Sequence, residues 1–363
     1  MSAYIPHSRP TLEEADALAV AEAVRSGQIA EGPKVAAFEA EVAAYLGRRG
    51  AVAVSSGLAA LHLALHALGA GPGDKVVVPS YNCAALLQAV LHCGARPILC
   101  DVEPGTGNPT PETAGAAAEG ARAILLAHLF GAPAEAADIA SLGPPVIEDV
   151  AQALGARRGG KAAGALGALT VCSFYATKLL AAGEGGMVLG EEAETLDRVR
   201  DARSYDGRDD LKPRWNYKLT DLQAALGLSQ MARYETFLAR RREIAARFTE
   251  GLAGTGLALP ADPPDGRHVF HRYVVGLPES WLGRHGEGAA EAAVRALEAR
   301  GVGARRPVHR PLHRLLGEKG FPGAEAAWAR HLSLPIYPSL TEEEISTILE
   351  ATRAVFSRQG EDT

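Results

Sequence analysis

Seven short apolar runs, separated by longer stretches with helical spacing, fill the first half of the chain: residues 51–55, 76–79, 97–101, 123–127, 146–149, 169–174 and 187–189. They are nearly continuous in small and branched apolar residues rather than alternating with polar ones. Strands of that kind are buried on both faces. Alternating with helices, they predict an α/β fold: a mostly parallel seven-stranded sheet sandwiched by helices. Alanine-rich stretches at 58–68 and 84–92 are two of those helices. Two more, 12–26 and 34–45, precede the first strand and are closed by Ser26-Gly27 and by Gly47. Beyond the capping pair Thr220-Asp221, apolar spacing through Leu222, Leu226, Phe237, Ile244 and Phe248 predicts one long helix running toward Gly254. The run Arg240-Arg241-Arg242 inside it reads as a solvated face. A Pro-rich patch (259–264), a strand (273–275), a helix (289–300) and a last helix from Thr341 read as a smaller α+β unit. A chain of 363 residues accommodates two such units.

The balance of residues is globular, 47% hydrophobic and 22% charged, with a formal net charge of -6. That charge disfavours a general nucleic-acid binder, which needs a basic face. No apolar stretch is long enough to span a bilayer, and the amino terminus carries neither a basic region nor an apolar signal core. Cys83, Cys93, Cys100 and Cys172 show no C-x-x-C spacing and no histidine at zinc spacing. Neither a metal site nor a disulfide framework is expected, and the setting reads as a reduced cytoplasm.

Two residues near strand ends carry the chemistry. Lys178 follows Val171-Cys172-Ser173-Phe174-Tyr175-Ala176-Thr177 and precedes Gly183-Glu184-Gly185-Gly186; Asp149 closes the run Val146-Ile147-Glu148. An amine that condenses with an aldehyde and a carboxylate that keeps a pyridine nitrogen protonated are two parts of a pyridoxal phosphate (PLP) site. Asp149 has an ordinary alternative, as N-cap of a helix starting at Val150. Gln152 is placed to reach the ring's 3-oxygen or to stack nearby. Ser55-Ser56-Gly57-Leu58 lies where the first strand turns into its helix, and small residues at a helix N-terminus suit a phosphate. Such a turn also needs a glycine for its own sake. The Ser173 hydroxyl is a second phosphate candidate. The Gly-Glu-Gly-Gly stretch is either a turn shaped around the lysine or a plain flexible one.

These motifs resemble the nucleotide-sugar aminotransferases (the DegT/StrS-like family), which have the type I fold of aspartate aminotransferase. The resemblance covers nearly the whole chain. Its strongest carriers are Glu148-Asp149-Val150-Ala151-Gln152-Ala153-Leu154-Gly155-Ala156, the Ser173 to Lys178 run with its glycines, and Asn216-Tyr217-Lys218-Leu219-Thr220-Asp221. Shorter matches are Glu31-Gly32-Pro33, His128-Leu129-Phe130-Gly131, His309-Arg310-Pro311-Leu312-His313 and Leu332-Ser333-Leu334-Pro335.

The resemblance implies a large PLP-binding domain over residues 1–245 and a small one over 246–363. It makes Lys178 the Schiff-base lysine and Asp149 the partner of the pyridine nitrogen. Ser56, Gly57, Leu58 and Ser173 would hold the phosphate, and Cys83 and Gln152 would lie at the ring. Asn216 would reach the phosphate in the neighbouring subunit, giving a homodimer with shared sites. The implied reaction is ping-pong transfer of an amino group from glutamate or glutamine to a nucleotide-linked keto-deoxy-hexose, as in polysaccharide or lipopolysaccharide biosynthesis.

Two positions depart from the family pattern. Leu58 replaces a common threonine, and Cys83 stands where an aromatic ring usually stacks on the cofactor. Such stacking contributes about 0.5–1.5 kcal/mol beyond area burial, so its loss weakens cofactor binding without forbidding it. Lys178 argues against the branch that carries histidine there and dehydrates sugars. Transamination of a cyclitol or non-sugar ketone, and a non-catalytic PLP-binding sensor or scaffold, remain open alternatives. Sugar contacts are expected from residues 28–31 and 206–215 and from His309 and His313, with ordinary packing as the alternative for both histidines.

Overall fold

A computed structural model describes residues 4–357. All seven apolar runs are strands of one sheet: β1 (Gly50–Val54), β2 (Lys75–Pro79), β3 (Arg96–Cys100), β4 (Ala123–Ala127), β5 (Val146–Asp149), β6 (Leu169–Ser173) and β7 (Gly186–Gly190). Their order is β1-β7-β6-β5-β4-β2-β3. β7 alone runs against its neighbours, antiparallel to β1 and to β6; the other pairings are parallel. Side chains alternate between faces, as the strand period requires. Val52, Val54, Val76, Leu125 and Ile147 pack with helices Gly57–Ala67 and Ala85–His92, whereas Ala51, Ala53, Cys172 and Met187 pack with helix Pro33–Leu46. Both faces are covered, which is why these runs are apolar throughout.

A second core surrounds the antiparallel pair β8 (Tyr273–Gly276) and β9 (His331–Leu334), with helices Ala289–Glu298 and Glu342–Phe356. The last helix opens with a reciprocal cap: Thr341 Oγ1 accepts from Glu344 N–H at 3.1 Å, and the Glu344 carboxylate accepts from Thr341 N–H at 2.9 Å. Ile5, from the opposite end of the chain, is buried in this core and bridges to Val302.

Two expectations change. The long helix after Thr220 is two helices, Asp221–Met231 and Tyr234–Gly251. The break is at Arg233, which has φ -116° and pairs with Asp16 at 2.6 Å and with Glu13; Ser229 and Gln230 also bond to Asp16. A buried carboxylate on the first helix thus gathers the side chains around the break. Past it, Tyr234 and Leu238 join the sheet-side core while Ile244, Ala245 and Phe248 join the second. The solvated-face reading holds for Arg240 and Arg242, which pair with Glu243, Glu342 and Asp262. It fails for Arg241, which is buried and donates to the carbonyls of Phe270, His271 and Ile336 at 3.2, 3.3 and 2.9 Å. Burial away from any carboxylate lowers its pKa to about 10.

Buried histidines set a pH limit on the fold, and two of them show how. His268 stacks on Phe270 at 4.1 Å and its Nδ1 accepts the Phe270 N–H at 2.7 Å; His331 lies between the Tyr81 and Phe130 rings. Burial lowers them to about 3 and about 4. The unfolded chain takes up protons on both rings below a pH of about 6.5 while the folded chain does not. Stability is therefore full above neutrality and falls as pH drops from 6.5 toward 4. Each ring costs about 1 kcal/mol at a pH near 5.5. In scanning calorimetry these two rings alone should make the apparent Tm roughly 2–4 °C lower at about pH 5.5 than at about pH 7.5. Equal values would contradict neutral buried rings.

Candidate active site

The carboxyl ends of the parallel strands meet at one edge of the sheet, where open α/β sheets collect their ligands. Asp149 ends β5 there, only 8% exposed. Residues 151–155 form turns and not a helix, so Asp149 is no helix cap; its Oδ1 accepts the Ala151 N–H at 2.8 Å. No cation lies within ion-pair distance of it among the described residues. Burial pushes its carboxyl up, against the Ala151 bond and the charge of Lys178. Its neighbour Glu148 is an anchor of opposite character. Burial would raise it, but His128 and the N–H groups of Gly164 and Gly167 bond to it and bring it down to about 2. His128 Nδ1 accepts the Ala134 N–H at 3.0 Å, so Nε2 carries the proton given to Glu148 at 2.9 Å.

Lys178 sits in the connection between β6 and β7. Phe174 N–H donates to Gly185 O and Ala176 N–H to Gly183 O, each at 2.9 Å, which folds the connection into a hairpin extending from the sheet edge. Gly183 has φ +81°, a conformation that side chains disfavour. Gly186 is required for space: a Cβ there would stand 2.2 Å from the Ser56 carbonyl oxygen. The Lys178 amine is lowered by burial, with Asp149 and then Cys83 opposing.

A space with the donors a phosphate needs lies between the ends of β1 and β6. Ser56 caps helix Gly57–Ala67, its Oγ accepting the Ala59 N–H at 3.1 Å and its carbonyl the Ala60 N–H at 3.0 Å. The N–H groups of Gly57 and Leu58 have no acceptor among the described residues. A Cβ on Gly57 would lie 2.8 Å from Ser173 Cβ. That glycine lets two free backbone donors, a helix N-terminus and the Ser173 hydroxyl share one space, the donor set a phosphate needs. The buried, uncompensated Asp149 fits a protonated pyridine nitrogen in the same way.

The remaining candidates are less uniform. Gln152 Oε1 accepts the Phe130 N–H at 3.0 Å, so only its NH₂ group is left for a ligand. Phe130 itself has φ +60°, a strained setting for a non-glycine residue, held by Arg272 N–H on its carbonyl at 3.1 Å. Cys83 is exposed beyond β2, its N–H on Asn82 Oδ1 at 2.8 Å. Asn216 is exposed, and its side chain makes no bond among the described residues. The backbone on either side of it is pinned: Trp215 N–H to Ala202 O, Tyr217 N–H to Arg203 O, and Ser55 N–H to Tyr217 O. Among the sugar-contact candidates, Gln28 and His309 are exposed and Glu31 is paired with Arg203. His313 is a packing residue, buried between Ser80 Oγ and Glu325 Oε1, each at 2.6 Å. Sequence reasoning missed Arg272 beside Lys178; the one available signal was two basic residues, His271-Arg272, interrupting the apolar run from Val269 to Val275.

Residues 10–353 match the model of the DegT/DnrJ/EryC1/StrS aminotransferase family. GDP-perosamine synthase of Caulobacter vibrioides is 34% identical, aligned over 88% of this chain and 89% of its own. The dTDP-4-dehydro-2,3,6-trideoxy-D-glucose 4-aminotransferase of Saccharopolyspora spinosa is 35% identical over 94% of each chain. In three dimensions, the PLP form of Spr1654 from Streptococcus pneumoniae matches with a TM-score of 0.90 at 25% identity, covering 97% of this chain and 98% of that one. With the Asp149 and Lys178 geometry and the cradle at Gly57, these likenesses have one outcome: the chain belongs to the DegT/DnrJ/EryC1/StrS aminotransferase family and is an enzyme that uses pyridoxal phosphate.

Proposed function

We propose that this aminotransferase moves an amino group from glutamate or glutamine to the keto carbon of a nucleoside-diphosphate-linked deoxy-sugar, by two half-reactions at one site in a cytoplasmic homodimer. The observation that carries the chemistry is the pairing of Lys178, an amine lowered by burial, with Asp149, a buried carboxylate without a bonded cation. The two relatives named above, whose names specify nucleotide sugars, support the acceptor class.

Each residue then has a physical task. The N–H groups of Gly57 and Leu58 and the hydroxyls of Ser173 and Ser56 hold the phosphate. Asp149 keeps the ring nitrogen protonated, and the NH₂ group of Gln152 is the donor left for the ring's 3-oxygen. When bound, PLP supplies an aldehyde carbon that exchanges amines and a ring that accepts electron density. Lys178 accepts the α-proton of the donor at Nζ and, in the second half-reaction, returns a proton to the acceptor carbon. Its lowered pKa leaves a larger neutral fraction for that work near neutral pH. Cys83 in place of an aromatic ring leaves one face of the cofactor without a stacking partner from that position, so retention rests more heavily on the phosphate cradle.

Borohydride reduction followed by peptide mass spectrometry should locate the cofactor on Lys178; recovery on another lysine sinks the assignment. Asp149→Asn should retain PLP yet slow the glutamate half-reaction by at least about 100-fold, read as decay of the visible band in stopped flow. A rate within a few-fold of the parent enzyme would remove Asp149 from its role. A panel of keto acceptors offered to the aminated enzyme distinguishes a nucleotide-sugar from a cyclitol.

The shared-site reading has its own test. Lys178→Ala and Asn216→Ala chains, mixed and reassembled, should regain about half of the parent activity per heterodimer. One composite site then holds both native residues. If Asn216 served its own subunit, mixing would restore nothing beyond the activity of the Asn216→Ala chain.

A further inference from the structure

One cavity beside Lys178 is lined by basic side chains and by no acid. Lys178, Arg241, His271 and Arg272 line it, together with His7 and Thr11 of the amino-terminal segment. Its free space is about 30 Å³, room for a carboxylate group and far too little for a nucleoside diphosphate. Neither Lys178, Arg241 nor Arg272 has a carboxylate within ion-pair distance among the described residues. Arg9, also on the lining, is already paired with Glu344 at 2.9 Å.

Buried polar atoms without partners gather at the same place: Arg241 Nε, Arg272 Nε, His271 Nδ1, Thr11 Oγ1 and Tyr337 OH. Such atoms are costly unless something supplies the missing bonds. The two guanidinium groups differ in what they have left to give. Arg241 Nη1 is committed to three carbonyls. Arg272 Nη1 touches only His7 Nε2, at 3.4 Å, and that nitrogen is closer to Ser333 Oγ, at 2.9 Å. Burial and the nearby arginines hold His7 neutral, at about 3, so it brings no second charge. The ionisable groups that act on Arg272 are Arg305, Tyr81 and Cys83, none of them a carboxylate.

We propose that Arg272 is the specificity-determining residue for the amino donor: its guanidinium receives a carboxylate of the donor in this cavity, next to the carbon on which Lys178 acts. The planar fork of arginine matches a carboxylate with two parallel N–H···O bonds, which lysine cannot reproduce. The inference rests on the amino-acid donor proposed above. It goes further by naming the subsite and by excluding the pyrophosphate of the acceptor from it on size.

The test separates binding from turnover. Calorimetric titration of the PLP-loaded enzyme with glutarate, an unreactive dicarboxylate, should show binding that weakens at least about 10-fold in Arg272→Gln and is partly restored in Arg272→Lys. In stopped flow, half-saturation by glutamate should rise roughly 10- to 100-fold in Arg272→Gln while the limiting rate changes less than about 3-fold. Glutamine distinguishes the two carboxylates of the donor. An equal loss for glutamine places the α-carboxylate on Arg272, and a loss confined to glutamate places the side-chain carboxylate there; either outcome supports the subsite. Unchanged glutarate binding and unchanged half-saturation in a folded Arg272→Gln enzyme overturn it. If Arg272→Gln does not fold, Arg272→Lys supplies the same readout. Should the parent enzyme bind glutarate through Arg272 yet accept nitrogen from neither amino acid, the donor assignment falls and the carboxylate subsite stands.

Discussion

Asp149 is a carboxylate removed from water with no positive charge bonded to it, and the site is organised around that deficit. Burial pushes its pKa up while the same burial pushes the Lys178 amine down. The two groups influence each other without forming an ion pair, so each is held in the less charged direction. The first deficit suits a protonated heterocycle, and the second suits an amine that has to react. Glu148, one residue earlier, shows what full compensation does to a buried carboxylate: with His128 and several backbone donors around it, it stays ionised and serves only to hold loops together.

The sheet topology brings these groups to a common edge. Parallel strands β1, β2, β4, β5 and β6 all end there; Asp149 and Ser173 are the last residues of β5 and β6, and Ser56 and Cys83 lie shortly beyond β1 and β2. β7 is the exception, and the exception matters. Because it returns antiparallel between β1 and β6, its connection from β6 is a hairpin and not a crossover helix, and that hairpin carries the lysine. The second core supplies the far wall through Arg272 and Ser333, with Arg241 pinning the loop before β8 to the helix that joins the two cores.

Much of this was legible in local sequence. Strands buried on both faces leave continuous apolar runs, so all seven were visible without any partner being known. Lys178 and Asp149 were visible because the motifs around them are dense and contiguous. What escaped depended on distant contacts. The break at Arg233 answers to Asp16, 217 positions away. Three successive arginines look alike in a charge count, yet consecutive helical residues point about 100° apart; here the middle one turns inward. Arg272 carries no signature of its own, and its meaning comes from the absence of acids in a cavity assembled from five separate stretches of chain. His313 fails in the opposite direction: a residue in a matching motif is committed to Ser80 and Glu325.

The close approach of Gly186 to the Ser56 carbonyl has a mechanical consequence. It presses the base of the lysine hairpin directly against the turn that offers its N–H groups to phosphate, main chain upon main chain, with no side chain between to yield. The two proposed attachment points of the cofactor are therefore gauged from a single rigid junction. A change in the loops farther from this junction leaves that spacing as it is.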